Sequence, residues 1–350
     1  MVPRMDGSQT SKALSSSLPP PFSRATVLGA GRWGSAISIW LATRGLTITL
    51  WCFEKEVREA IAGARENPYL PGYSFPENVE PTTDLKAVSE ERELLILAVP
   101  CQFLRPTLER LGRCSSPVLG VNKGIERDTG LTVPEIVRQV LGPVPYAHLG
   151  GPCFPEGLLN PETPVAETVA SEDPDLAKRV QRLFAWRNFR PYRSADVRGV
   201  AVLGALKNVY AIGAGIASAL GLGEESLAVL VTRALAELRR LALAMGIPET
   251  TVYGLSGVGD LVLTCYSPRH SRNHNFGAAL GRGESVEEVL KSMGNKVAEG
   301  YYTAAAVRKL AERYEVEMPL AEAIHRILYQ GVQVKQVLSE LMERPLKTEH

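Results

Sequence analysis

Cysteine is scarce in this chain, and its few copies do not cluster. Cys52, Cys101, Cys114, Cys153 and Cys265 form no C-x-x-C pair and have no histidine at zinc-ligand spacing. That argues against a disulfide frame or a bound metal and suits a reducing cytoplasm. Excess charge is also missing. A formal net charge of +1 exerts no global pull toward nucleic acid or an acidic membrane surface, so any anion must be bound by a few local cations. The basic residues near the N-terminus have no apolar run behind them, which argues against a signal peptide. One stretch, Ala201–Leu222, is apolar enough to suggest a membrane span, but it carries Lys207, Asn208 and several glycines. A lysine in a bilayer costs roughly 2.5–3.5 kcal/mol. The segment therefore reads as a buried helix of a soluble protein, and its lysine calls for a reason.

The chain's 350 residues suffice for two cores. Residues 1–23 are rich in Ser and Pro, with a triple proline at Pro19–Pro21, and read as a disordered tail; a plastid-type targeting peptide suits the same serines less well. From Arg24 the text alternates. Ala25–Leu28, Thr47–Trp51, Leu94–Val99, Val118–Val121 and Tyr146–Leu149 are short apolar or β-rich runs separated by helical patterns, the signature of a parallel sheet covered on both faces. Beyond Val197 the β signal stops. Ala201–Leu220, Ser226–Met245, Val286–Lys291, Thr303–Tyr314 and Pro319–Tyr329 read as helices. The expected fold is an α/β Rossmann-type dinucleotide-binding domain over residues 24–197, followed by an all-α substrate-binding domain over 198–350. The cleft between them is the default active site.

The first strand runs into Gly29-Ala30-Gly31-Arg32-Trp33-Gly34, and a helix pattern opens behind it. In that context Gly29 permits a tight turn, Gly31 lets backbone approach a pyrophosphate and Gly34 lets helix pack on strand. The helix N-terminus offers its free amides to the phosphates. Glu54 lies about 20 residues past Gly34, where an acid accepts from the adenosine ribose and repels the extra phosphate of NADP. NAD is favoured; Lys55 and Arg58 nearby keep NADP possible.

Three further segments carry chemistry. Val121-Asn122-Lys123-Gly124-Ile125-Glu126 puts a lysine just past a strand end, Gly204–Val209 puts Lys207 and Asn208 inside an apolar helix, and Gly257–Thr264 with its Asp260 leads into Ser271-Arg272-Asn273. That tripeptide offers a hydroxyl, a guanidinium fork and an amide, suited to a phosphate. Burial and the second cation, Lys123, should lower the Lys207 pKa, with Asp260 opposing. His148, at a strand end, reads as structural.

With these strings, and with Asn67–Gly72, Leu97–Pro100, Gly151–Phe154, Pro248–Thr250, Ala298–Gly300 and Val316–Pro319, the chain resembles the soluble bacterial type of NAD(P)-dependent glycerol-3-phosphate dehydrogenase over nearly all of its length after Arg24. The resemblance implies reversible reduction of dihydroxyacetone phosphate to sn-glycerol 3-phosphate for phospholipid backbones. It implies Lys207 as proton donor and acceptor, with Asp260 and Lys123 beside it. Gly151, Cys153 and the phosphate-holding Ser271, Arg272 and Asn273 fall on the substrate side. Arg32, Trp33, Phe53, Pro155, Val297 and Glu299, with Lys123 and Arg272 again, would line the cofactor. A homodimer is expected. Two departures stand out: Cys153 replaces the family's usual serine and Pro155 its alanine, and a thiol is the weaker hydrogen-bond donor. A reductase of another phosphorylated ketone, a ketopantoate-type reductase and a non-catalytic dinucleotide sensor remain as alternatives; the phosphate tripeptide argues against the ketopantoate type, and Lys207, Asp260 and Arg272 together against the sensor.

Overall fold

The computed structural model describes residues 20–86, 88, 92–294, 297–346 and 348–349. The first half of the chain alternates strand and helix. β1 (Arg24–Leu28), α1 (Arg32–Thr43), β2 (Thr47–Trp51), α2 (Lys55–Ala64), β3 (Val79–Thr82), β4 (Leu94–Leu97), α3 (Cys101–Leu111), β5 (Val118–Gly120) and α4 (Val133–Leu141) come first. They are followed by β6 (Tyr146–Gly150), α5 (Pro155–Leu159), β7 (Val165–Ala170), α6 (Pro174–Phe184) and β8 (Phe189–Ser194). The strands form one eight-stranded sheet in the order β3-β2-β1-β4-β5-β6-β7-β8. Five adjacent pairs from β3 to β6 and the pair β7–β8 are parallel, whereas β7 runs antiparallel to β6.

Both faces of this sheet are buried, and β4 shows why. Its Leu94 and Ile96 join the core on one side while Leu95 and Leu97 join the core on the other, so a strand with no polar residue is what the two helix layers require. The order reverses between β1 and β4, and a parallel sheet opens a ligand crevice outside its carboxyl ends at such a point. Three strands lie outside the expected set. β3 contains Pro81 and sits at an edge, β7 is interrupted by Glu167, and β8 alternates buried Phe189 and Pro191 with exposed Arg190 and Tyr192. The expected parallel sheet is present, with one antiparallel pair, β6–β7, added beyond it.

The end of the expected tail packs against the domain. Most of the anticipated tail lies outside the described residues, but Phe22 is buried in the core beneath the Arg179 guanidinium, and both Ser23 Oγ and its amide donate to Glu93.

The second half is helical: α7 (Val197–Ala219), α8 (Gly223–Ala244), α9 (Glu249–Val252), a π-helical turn (Leu255–Gly259), α10 (Asp260–Cys265), α11 (Arg272–Gly281), α12 (Val286–Met293), α13 (Glu299–Arg313), α14 (Pro319–Gln330) and α15 (Val334–Met342). α7 starts four residues before the apolar run, where the Asp196 side chain accepts from the Gly199 amide at 2.8 Å. It is long and apolar enough to cross a membrane, yet its apolar stretch is wholly buried inside the protein. α11 crosses it at backbone distance. A Cβ at Gly215 would overlap the His274 carbonyl, and one at Gly277 would overlap that of Ile212. α7 therefore runs as a central rod through the helical half and presents Lys207 to the carboxyl edge of the sheet.

Candidate functional site

The glycine turn fits a dinucleotide on steric grounds. A Cβ on Gly29 would lie 2.9 Å from the Ala98 carbonyl, and one on Gly34 would overlap the Gly29 carbonyl oxygen, so both must be bare for strand and helix to meet. Gly31 differs: a Cβ there would meet nothing within 4 Å, so its backbone borders open space. α1 begins at that glycine with no side-chain cap, which leaves first-turn amides for an anion. Phe53 is 77% exposed at the end of the second βα unit, with its ring edge-on to Trp51. Glu54 opens α2 and accepts from the Tyr69 hydroxyl at 2.6 Å. Trp33 packs partly buried against the sheet core.

Across the carboxyl edge, one carboxylate holds two lysines. Lys123, on the loop after β5, donates to Asp260 Oδ2 at 2.6 Å and to the Gly151 carbonyl at 2.7 Å. Lys207 Nζ lies 2.9 Å from Asp260 Oδ1 and donates to Thr264 Oγ1 at 2.6 Å. Thr264 passes its own hydroxyl proton to the Asp260 backbone carbonyl at 2.7 Å, one helical turn back. Asp260, Lys207, Thr264 and Gly151 are buried, and Lys123 keeps a little exposed surface. Burial and then the neighbouring Lys123 lower the Lys207 pKa, with Asp260 pulling the other way. Lys123 is held above the usual lysine range: burial opposes its charge, but Asp260 and Glu167 outweigh it.

A chain of amides fixes this edge to the helices. Asn208 Nδ2 donates to the Lys123 carbonyl at 3.2 Å, Asn273 Nδ2 donates to Asn208 Oδ1 at 2.8 Å, and the Gly300 amide donates to Asn273 Oδ1 at 2.9 Å. Asn273, expected with Ser271 and Arg272 at the substrate phosphate, is the middle link of this chain. Ser271 caps α11, accepting from the His274 amide at 3.1 Å. Arg272 is the member left for an anion. Its Nη1 is 3.5 Å from the Val297 carbonyl, it makes no ion pair among the described residues, and burial together with Arg32 lowers its pKa. Arg32 and Arg272 both line a cavity of about 630 Å³, together with Pro68, Tyr69, Pro71 and Glu156.

Glu299 opens α13 and accepts from the Cys101 amide at 2.8 Å, and burial raises its carboxyl to about 7. Pro155 begins α5 and is buried; Glu156 beside it ion-pairs with Arg32 and so ties the segment to the dinucleotide turn. Cys153 is buried with Sγ 3.4 Å from the Phe154 carbonyl, and burial pushes its thiol well above the ordinary range, unfit for a nucleophile. His148 is buried against the Tyr146 hydroxyl and driven down to about 3. The residues to which motif reading gave no role are Glu167, Thr264 and Glu156. Of these only Thr264, four residues after Asp260, had a helical spacing to betray it.

Two family models match in order: the N-terminal part of NAD-dependent glycerol-3-phosphate dehydrogenase over residues 24–177 and its C-terminal part over 196–339. The chain belongs to the NAD-dependent glycerol-3-phosphate dehydrogenase family. It is 42% identical over 334 residues to a glycerol-3-phosphate dehydrogenase [NAD(P)+] of Anaeromyxobacter dehalogenans, covering 93% of this chain and 99% of that protein. A crystal structure of glycerol-3-phosphate dehydrogenase from Coxiella burnetii superimposes with a TM-score of 0.88 at 34% identity, over 93% of this chain and all of that one. The fold reaches further than the family: a ketopantoate reductase from Ralstonia eutropha shares it at 15% identity and a TM-score of 0.54, over 91% of this chain and 100% of that one.

Proposed function

We propose that this member of the glycerol-3-phosphate dehydrogenase family reduces dihydroxyacetone phosphate reversibly to sn-glycerol 3-phosphate with NADH, and less readily with NADPH. The observation that carries the reading is the buried Lys123–Asp260–Lys207 bridge at the carboxyl edge of a dinucleotide-binding sheet. The reduced nicotinamide, when bound, supplies a hydride to the substrate carbonyl carbon. The alkoxide left behind needs a proton and a cation beside it. The Lys207 ammonium has two N–H bonds committed, to Asp260 Oδ1 and Thr264 Oγ1, and delivers the third. Asp260 and Thr264 aim that proton, and Lys123 adds positive charge in a site shielded from water. In the reverse direction neutral Lys207 Nζ takes the proton back.

Arg272, with Arg32 beside it and no acid paired to it, is the group for the substrate phosphate, and Arg32 and the α1 amides face the dinucleotide phosphates. Glu54 sets the preference for NAD by its charge at the end of β2. Cytoplasmic location, supply of phospholipid backbones and a homodimer belong to the same proposal; Val229 and Leu243 leave exposed apolar surface on α8 for a partner copy.

The test is loss of reduced-cofactor absorbance with dihydroxyacetone phosphate, ketopantoate or no ketone. Turnover with dihydroxyacetone phosphate alone is expected. Turnover with ketopantoate alone, or tight NADH binding with no turnover on either ketone, overturns the reading.

A further inference from the structure

Glu167 sits in the middle of β7 with no exposed surface, and neither carboxylate oxygen has a hydrogen-bond partner among the described residues. Its Oε1 is 3.9 Å from Lys123 Nζ. Its stem packs against Gly151, where a Cβ would come within 2.9–3.1 Å of the Glu167 Cα, Cβ and Cγ. The same Gly151 carbonyl holds Lys123. A carboxyl left without a donor in a dry interior is costly, and an apolar residue would suit a central strand better.

The charges around it suggest what it is for. Lys123, Asp260 and Lys207 face it from the sheet edge, α10 and α7, and Cys153 and His148 lie alongside, the first as a neutral thiol and the second as a neutral imidazole. β8 opposes it with Pro191, while the charged side chains of β8 and α6 point to solvent. Two lysines and Asp260 alone leave one buried positive charge uncompensated. Glu167 is the second acid. The cluster is neutral either with Glu167 ionised and Lys207 protonated, or with Glu167 protonated and Lys207 neutral.

We propose that Glu167 is a second proton-holding group of this site, whose ionisation keeps the proton on Lys207 and so sets the pH range over which that lysine serves as acid or base. The inference rests on the roles given to Lys207 and Asp260 above. Glu167 acts through Lys123 and Asp260, so it is a positioning residue. Burial raises its carboxyl to about 8, so its charge appears as the medium turns alkaline. The new anion then opposes deprotonation of Lys207.

Glu167→Gln keeps the shape and removes the titration. The alkaline limb of kcat/KM for dihydroxyacetone phosphate reduction should move about one pH unit toward acid, roughly a tenfold loss on that limb. Glycerol 3-phosphate oxidation, which needs neutral Lys207, should rise above about pH 8, where wild-type Glu167 is charged. A purely structural role would depress both directions and move neither limb. Glu167→Val, equally neutral, should shift the limb as Gln does if Gln disturbs the strand, and Glu167→Asp should restore it. Independently of turnover, infrared titration of the wild type should show a protonated carboxyl band that fades with alkali and is missing from Glu167→Gln. An unmoved limb in both neutral variants, or identical infrared titrations, overturns the inference; a wild type inactive on dihydroxyacetone phosphate overturns the functional reading instead.

Discussion

Asp260 is one carboxylate asked to hold two buried ammonium groups, one on each oxygen. Removing either lysine leaves it paired with the other, whereas removing Asp260 would strand two like charges in a dry interior, a change that costs several kcal/mol. The lysines are therefore the cleaner probes. Lys207→Ala should lower turnover by about 10²–10⁴-fold, the range of a lost general acid, because among the described residues no other ammonium donates to Thr264. NADH affinity should stay within about threefold, since the glycine turn, Arg32 and Phe53 are untouched. Steady-state kinetics beside a fluorescence titration of NADH decides it. A large loss of NADH binding would mean that Lys207 holds the cofactor and not the reacting proton.

At the scale of elements, the crossing of α7 and α11 sets the position of these side chains, and it depends on a glycine from each helix. Gly277→Ala gains helix propensity but places its Cβ on the Ile212 carbonyl. Overpacking costs about 1–3 kcal/mol and outweighs the propensity gain of about 1 kcal/mol. Gly63→Ala, on α2 with nothing within 4 Å of the new Cβ, should stabilise instead. Urea midpoints of the two variants should move in opposite directions; equal shifts would refute the crossing argument. The same contrast shows what could be read from sequence. β4 is legible because a strand buried on both faces must be apolar throughout. The glycine turn is legible because its sterics are local. β7 was not, because Glu167 breaks the apolar pattern for reasons that lie on α7, α10 and the loop after β5. What Ser271 and Asn273 also do for the fold was not legible, because their partners are set by the folded backbone. Ser271 satisfies a helix terminus, and Asn273 belongs to an amide chain linking segments far apart in sequence.

Over the whole molecule, burial of ionisable groups should give stability a flat top with two falling sides. Glu237, whose carboxylate accepts the Leu320 and Ala321 amides at the start of α14, is raised by burial to about 7, as is Glu299, and Glu167 to about 8. Between the ordinary carboxyl value of 4.5 and these raised ones, the folded chain binds more protons than the unfolded chain, so their contribution falls as pH rises. His274 and His325, lowered by burial, work in the opposite sense, and so does His148. Burial drives it from 6.5 down to about 3, so across that window the unfolded chain binds more protons and stability falls with acidification. The two slopes oppose each other between pH 4.5 and 6.5. Above 6.5 the three raised acids act, up to about 8, and below 4.5 His148 is joined by Glu93, Glu126, Glu288 and Glu340, whose hydrogen-bonded carboxylates are held below the usual range and are lost with acid. Thermal unfolding of the cofactor-free protein in a buffer series should therefore show a plateau near pH 5–6 and a declining Tm from pH 6.5 to 8. Glu237→Gln should flatten the alkaline decline while leaving the acid side in place. A Tm that climbs steadily from pH 6 to 8 would mean that these carboxyls ionise freely in the folded state and that the interior around them is wet.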